Sequence, residues 1–190
     1  MYRTLIPAAM VLGLSAPAFA EPVTYNLDPN HTEILFTWTH GGFSTTRGIF
    51  FGADGQFTFD EEAPETSSVS ISVPTESMQI NAGLKEHLAS GDFFGENFAN
   101  DITFASTAIN VTGENTAEIT GDLTVNGVTN EVVLDAMLNK TGDGPQGDPV
   151  AGFAATTTLL RSDYNLGAFA PFVSDEVEVQ ISVEGSPVEG

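Results

Sequence analysis

The chain has 190 residues, no cysteine, and a formal net charge of −21 from 26 acidic and 5 basic side chains. That length suits one domain with enough interior to fold without covalent staples. The missing cysteine excludes disulfides and thiolate chemistry, and the missing Lys and Arg clusters exclude nucleic acid as a partner, because phosphate contacts need them.

Met1-Tyr2-Arg3 is a short basic start, Leu5 to Ala18 is apolar, and Ala18-Phe19-Ala20 has the small-x-small pattern of a signal-peptidase site. Residues 1–20 therefore read as a secretory signal cut after Ala20, and residues 21–190 as one exported domain, most simply periplasmic. The apolar run is short for a membrane span, which needs about 20 residues, and no later segment approaches one. No stable membrane anchoring is expected.

The remainder alternates rather than coiling. Ile34, Phe36, Trp38 and His40 share one face of a strand opposite Glu33, Leu35, Thr37 and Thr39. Asp54-Gly55 reads as a turn between strands at Ile49–Phe51 and Gln56–Phe59. Val69, Ile71 and Val73 alternate with serines until Pro74. Ala82 to Ser90 differs, since Leu84 and Leu88 stand four apart, and reads as a short helix. Ile102 to Val111 is a strand, and Gly121–Val125 and Val128–Leu134 flank Asn126-Gly127, the strongest hairpin signal in the chain. Thr141 to Pro149 is a Gly/Pro/Asp-rich surface loop, followed by strands at Phe153–Leu160 and Glu176–Glu184. Eight or nine antiparallel strands with one helix make a sandwich or an up-and-down barrel. A barrel of about eight strands has room for one apolar ligand, but alternation alone does not separate a hollow barrel from a filled one.

Several motifs recur in a fixed order. Tyr25-Asn26-Leu27-Asp28-Pro29-Asn30-His31-Thr32 is followed by Phe36-Thr37-Trp38-Thr39-His40-Gly41-Gly42 and by Arg47-Gly48-Ile49-Phe50. Then come His87-Leu88-Ala89-Ser90-Gly91-Asp92-Phe93-Phe94, Ile102-Thr103-Phe104, Gly121 to Thr129 with Val132, and Arg161-Ser162-Asp163-Tyr164-Asn165-Leu166-Gly167. As an ordered set over nearly the whole exported chain they resemble the YceI-like family of secreted polyisoprenoid-binding proteins. The resemblance implies an all-β fold, an extended eight-stranded lipocalin-like antiparallel barrel with one short helix near residues 82–90. It also implies a long-chain lipid in the interior, such as a polyisoprenoid, an isoprenoid quinone or a fatty acid or amide, and no catalytic residues. Two positions depart from the family pattern: Thr32 stands where Ser is usual, and Asn130-Glu131 where a basic residue and Pro are common.

A lipid pocket needs apolar walls and a few placed polar groups. The wall candidates are Phe36, Trp38, Phe50, Phe104, Phe153 and Phe169, with Leu84, Leu88, Phe93 and Phe94 as either a flap over the barrel mouth or a plug in it. Simple core filling accounts for the same side chains equally well. His40 shares the inward parity and has two uses, a head-group contact or a bond to a backbone carbonyl. Arg161 continues the parity of Phe153, Ala155, Thr157 and Leu159, so it either pairs with an acid, Asp92 or Asp163 first, or meets a ligand head group. The three histidines lack metal-ligand spacing, no GxSxG or GxGxxG motif appears, and the acid excess reads as a solvated surface. The expected function is a non-enzymatic carrier that needs no cofactor beyond a bound isoprenoid or other long-chain lipid. The rival readings are an enzyme acting on a lipid or quinone in the same pocket, and a ligand-free structural or stress-related barrel. Sheet edges and an apolar mouth leave homodimerisation open.

Overall fold

The computed structural model describes residues 21–188; the expected secretory signal lies outside them. The strands are β1 Val23–Leu27, β2 Glu33–His40, β3 Ser44–Phe50, β4 Asp54–Phe59, β5 Ser68–Pro74, β6 Asp101–Val111, β7 Thr116–Val125, β8 Val128–Asp143, β9 Pro149–Leu160 and β10 Glu176–Pro187. Most have one apolar face, and the sheet buries that face by rolling up until its ends meet, which also leaves few unpaired edges. The order is β1-β4-β5-β6-β7-β8-β9-β10, closed by pairing of β10 with β1, and every pair is antiparallel.

β10 is the seam. One edge pairs with β9, while the other pairs first with β2, from Glu178↔Thr37 to Ser182↔Glu33, and then with β1, from Gly185↔Leu27 to Pro187↔Tyr25. β1 and β2 thus form one broken stave beside β10. β3 lies beside β2 and β4 beside β1, so these two form a second broken stave. Ten strand segments make eight staves, and the barrel is the closed eight-stranded antiparallel form that the family resemblance implies.

Local chemistry explains the first break. Pro29 cannot donate to a ladder. Asp28 then turns the chain by accepting from the Asn30 backbone N–H at 2.8 Å and meeting His31 Nδ1 at 2.7 Å. Thr32 re-enters the wall, 1% exposed. The second break corrects the sequence reading, because Asp54-Gly55 is not a turn. Both residues lie inside β4, paired with Ser72 and Ile71 of β5, and the bend comes earlier, at Gly52, whose φ is +69°. Gly55 is needed for close approach instead: a Cβ there would stand 2.2 Å from the Ser70 carbonyl oxygen. The Asn126-Gly127 hairpin forms as expected, with φ of +53° and +75°. The Thr141–Pro149 loop is shorter than read, since β8 runs to Asp143.

The two ends of the barrel differ. At one end Tyr25 stacks on Phe57 at 4.9 Å, and Phe57 and Phe59 both set their rings edge-on to Phe153, at 5.3 and 5.2 Å. At the other end lies the helix α1, Ala82–Ala89, where the leucine spacing predicts it. The Asn81 side chain caps it by accepting from the Gly83 and Leu84 N–H groups, and Lys85 Nζ ties it to the Glu76 carbonyl at 2.7 Å. Among the described residues no helix is long and apolar enough to cross a membrane.

Candidate functional site

Above the aromatic floor the barrel is hollow. The cavity measures about 630 Å³, within the usual range for small-molecule sites. Its deep wall is aliphatic and aromatic: Ile34, Phe36 and Trp38 of β2, Phe104 of β6, Leu123 and Val125 of β7, and Val177, Val179, Ile181 and Val183 of β10. Phe36 stacks on Trp38 at 5.7 Å and meets Phe50 at 4.9 Å, and a Cβ on Gly48 would come within 2.2 Å of the Phe36 ring. That glycine is what lets the Phe36 ring lie flat against β3.

The mouth is closed over by α1 and the turn after it. Leu84, Leu88, Phe93 and Phe94 all line the cavity, with Phe94 7% exposed and its N–H donating to the Leu88 carbonyl at 3.1 Å. Opposite them runs the loop from Arg161 to Asp175, which presents Leu166, Phe169, Phe172 and Val173. His87 lies edge-on to Phe93 at 5.0 Å and near Phe169 at 6.1 Å, and His40 is edge-on to Phe172 at 5.1 Å. Most polar side chains of the lining stand toward this end, His40, Thr46, His87, Arg161 and Tyr164, while Thr32 and Thr157 belong to the wall below.

Arg161 does not form the ion pair that its parity suggests, with Asp92 or Asp163. Its guanidinium is spent on backbone carbonyls: Nε donates to Ser174 at 2.9 Å, Nη1 to Leu166 and Ala168, and Nη2 to Val173 at 3.0 Å. The reason is geometric. β9 ends at Leu160 and the chain turns, so the side chain lies under its own loop, where carbonyls outnumber carboxylates. Burial lowers its pKa from the ordinary value, opposed by the Asp175 carboxylate. Asp175 is itself held below its usual range, chiefly by the Ser162 hydroxyl at 2.6 Å. His40 corrects a second expectation, since it is exposed at the rim and is not a buried histidine bonded to a carbonyl.

Of the twelve side chains singled out from sequence, eleven line the main cavity. The exception is Phe153, which sits in the floor cluster because it lies near the start of β9, at the end away from α1. Sequence reasoning passed over the β10 valines, although their alternation carried the signal. It also missed the asparagines that hold the mouth loops together. Asn126 Nδ2 donates to the Tyr164 carbonyl at 2.9 Å, Asn97 Nδ2 reaches Asn126 Oδ1 at 3.0 Å, and Asn130 Nδ2 donates to the Asp163 carbonyl at 2.9 Å. Asn130, one of the two departures from the family pattern, is thus a loop tether. Among the described residues no cluster of His, Asp or Glu is arranged to hold a metal ion.

A closed antiparallel barrel with an apolar interior and a polar rim defines a lipocalin-like architecture. The YceI-like domain model matches residues 25–185, and the chain belongs to that family. A UPF0312 protein of Ectopseudomonas mendocina (strain ymp) is 39% identical over 182 residues, 94% of this chain and 95% of its own length. Another, from Pseudomonas aeruginosa (strain LESB58), is 38% identical over 186 residues, 96% and 97% of the two chains. Among solved structures, the YceI protein of Campylobacter jejuni superposes with a TM-score of 0.71 at 25% identity, covering 80% of this chain and 90% of that one. BcnA of Burkholderia cenocepacia gives 0.74 at 21% identity, over 83% and 98%. A polyisoprenoid binding domain from Saccharophagus degradans gives 0.65 at 12% identity, over 87% and 99%. The last two are similar in fold.

Proposed function

We propose that the protein is a periplasmic carrier that holds a long-chain apolar lipid inside the barrel, without covalent chemistry. The observation that carries this reading is the cavity itself, about 630 Å³, with a wall that is almost wholly hydrocarbon and with its charged and imidazole groups, His40, His87 and Arg161, at the mouth. That gradient suits an amphiphile with its tail buried and its head at the rim: a polyisoprenoid, an isoprenoid quinone, or a fatty acid or amide. Apolar burial drives binding at about 25 cal/mol per Å², offset by ordering of the chain. In this reading His40 and the residual donor capacity of Arg161 face the head group, while Phe36, Trp38, Phe50, Leu84, Leu88, Phe93, Phe94, Phe104 and Phe169 contact the tail. Export follows from the signal expected over residues 1–20.

The polyisoprenoid-binding domain from Saccharophagus degradans shares the fold and supports the ligand class. A reaction centre has less support. Two groups with shifted pKa values, Arg161 and Tyr164, touch the cavity, and burial is the main cause in both, so they do not make an acid–base pair. Native mass spectrometry of protein purified from its own cell envelope, followed by organic extraction, tests the proposal. A stoichiometric long-chain species is the expected result. Trp38, the one tryptophan of the chain, lines the cavity and reports uptake by fluorescence. Empty protein whose Trp38 emission ignores added prenyl quinone, prenyl alcohol and fatty amide overturns it.

A further inference from the structure

A second apolar chamber of about 160 Å³ lies beneath the main cavity, toward the end of the barrel opposite α1. The two chambers share five wall residues, Ile71, Phe104, Leu134, Ile181 and Val183, so only a single layer of side chains separates them. Below that layer the walls are Phe57, Phe59, Val69, Ile109, Ile119 and Phe153, and the outer rim is the exposed β6–β7 turn from Gly113 to Asn115. The room goes with a row of three small residues. Ala117 of β7, Ala136 of β8 and Ala155 of β9 are successive cross-strand partners, and all three line the chamber where larger side chains would fill it.

Phe104 is the bulkiest of the five shared residues, and its ring is drawn to the barrel wall rather than across the axis. The ring tip lies over Gly121 of the neighbouring strand, where a Cβ would stand 2.5 Å from Cζ. Water against apolar walls is a poorer occupant than hydrocarbon, which displaces it favourably. A chain too long for the upper chamber either doubles back toward the polar mouth or advances into this space. Advancing removes more hydrocarbon from water.

We propose that the lower chamber is a tail compartment, which receives the distal end of long ligands past Phe104, with Ala117, Ala136 and Ala155 setting its capacity. This rests on the lipid-carrier reading above and adds to it a selectivity for chain length. The test uses the whole exported chain, Trp38 fluorescence, and prenyl alcohols of increasing length, from three isoprene units to nine. Ala136→Phe fills the lower chamber from below. It should leave the affinity for the three-unit alcohol within about twofold of the parent and weaken the nine-unit alcohol by about tenfold or more. Phe104→Ala removes bulk instead of adding it, and should raise the long-to-short affinity ratio. Circular dichroism and melting confirm that each variant is folded, and Ala155→Leu replaces Ala136→Phe if the latter does not fold. A long-to-short ratio unchanged across the filled and the opened variants overturns the proposal while leaving the carrier function standing. A parent protein that binds none of the alcohols overturns both.

Discussion

Replacing Arg161 by Met keeps the length of the side chain and removes its donors. Four contacts to the carbonyls of Leu166, Ala168, Val173 and Ser174 are lost together. A hydrogen bond from a charged donor contributes roughly 1.5–3 kcal/mol, and a carbonyl left dry costs a further fraction of that. Full additivity would overshoot, because Arg161 is only partly buried and water at the mouth rehydrates some of these oxygens. A net loss of about 2–4 kcal/mol is the expected cost, which for a domain of this size lowers the melting temperature by roughly 5–15 °C. The same four bonds fold the loop that places Leu166, Phe169, Phe172 and Val173 on the cavity. Lipid affinity should therefore fall in the variant even where the barrel stays closed. Arg161→Lys should lie between the two, since an ammonium keeps the charge but lacks the planar fork that reaches carbonyls on both sides. The assay is thermal melting by circular dichroism, with far-UV spectra to confirm the strands and Trp38 emission to follow ligand. An Arg161→Met protein that melts within about 2 °C of the parent refutes the reasoning. The carbonyl contacts would then contribute nothing, and Arg161 would act through a ligand head group alone.

Three further outcomes follow from the geometry. Gly48→Ala drives a Cβ into the Phe36 ring and should cost about 1–3 kcal/mol in urea denaturation, with part of the loss recovered in the Gly48→Ala/Phe36→Leu double variant. Asn81→Ala removes the cap of α1 and should cost about 1 kcal/mol, visible as faster amide exchange over residues 83–88 and faster ligand release. His31 should titrate above the ordinary histidine value, because its bond to Asp28 and then the charges of Asp28 and Glu184 favour the protonated ring. Asp28→Asn should bring that titration down, as read by NMR. The signs are opposite for the two partners. The contribution of His31 to stability is complete below the ordinary histidine pKa and is lost as pH rises through its raised value. That of Asp28 is complete above the ordinary carboxylate value and is lost as pH falls through its lowered one. A His31 resonance that ignores Asp28→Asn removes the pair from the account of the turn.

Much of this protein was legible along the chain, because strand pairing has a period of two and the sequence keeps it. Ile34-Phe36-Trp38 and Val177-Val179-Ile181-Val183 announce one dry face each, Asn126-Gly127 supplies the positive φ that a tight hairpin needs, and Leu84 and Leu88 announce the helix. These are local signals, and a rolled sheet is the usual way to bury so many one-sided strands. Whatever depends on residues far apart had to wait for the tertiary structure. Asp54-Gly55 has the composition of a turn, but its backbone is used for close approach to Ser70 across the ladder, a demand that no local pattern announces. Parity aimed both Phe153 and Arg161 inward. Only the height of β9 in the barrel put one in the floor and the other at the mouth, and only the return of the loop put carbonyls around the guanidinium instead of a carboxylate. The volume of the interior is the clearest case. Alternation dictates which side chains face in, whereas the space left between them depends on how rings such as Phe36 and Phe104 lie over Gly48 and Gly121 on neighbouring strands. That is a three-dimensional sum over all eight staves, and no single strand carries it.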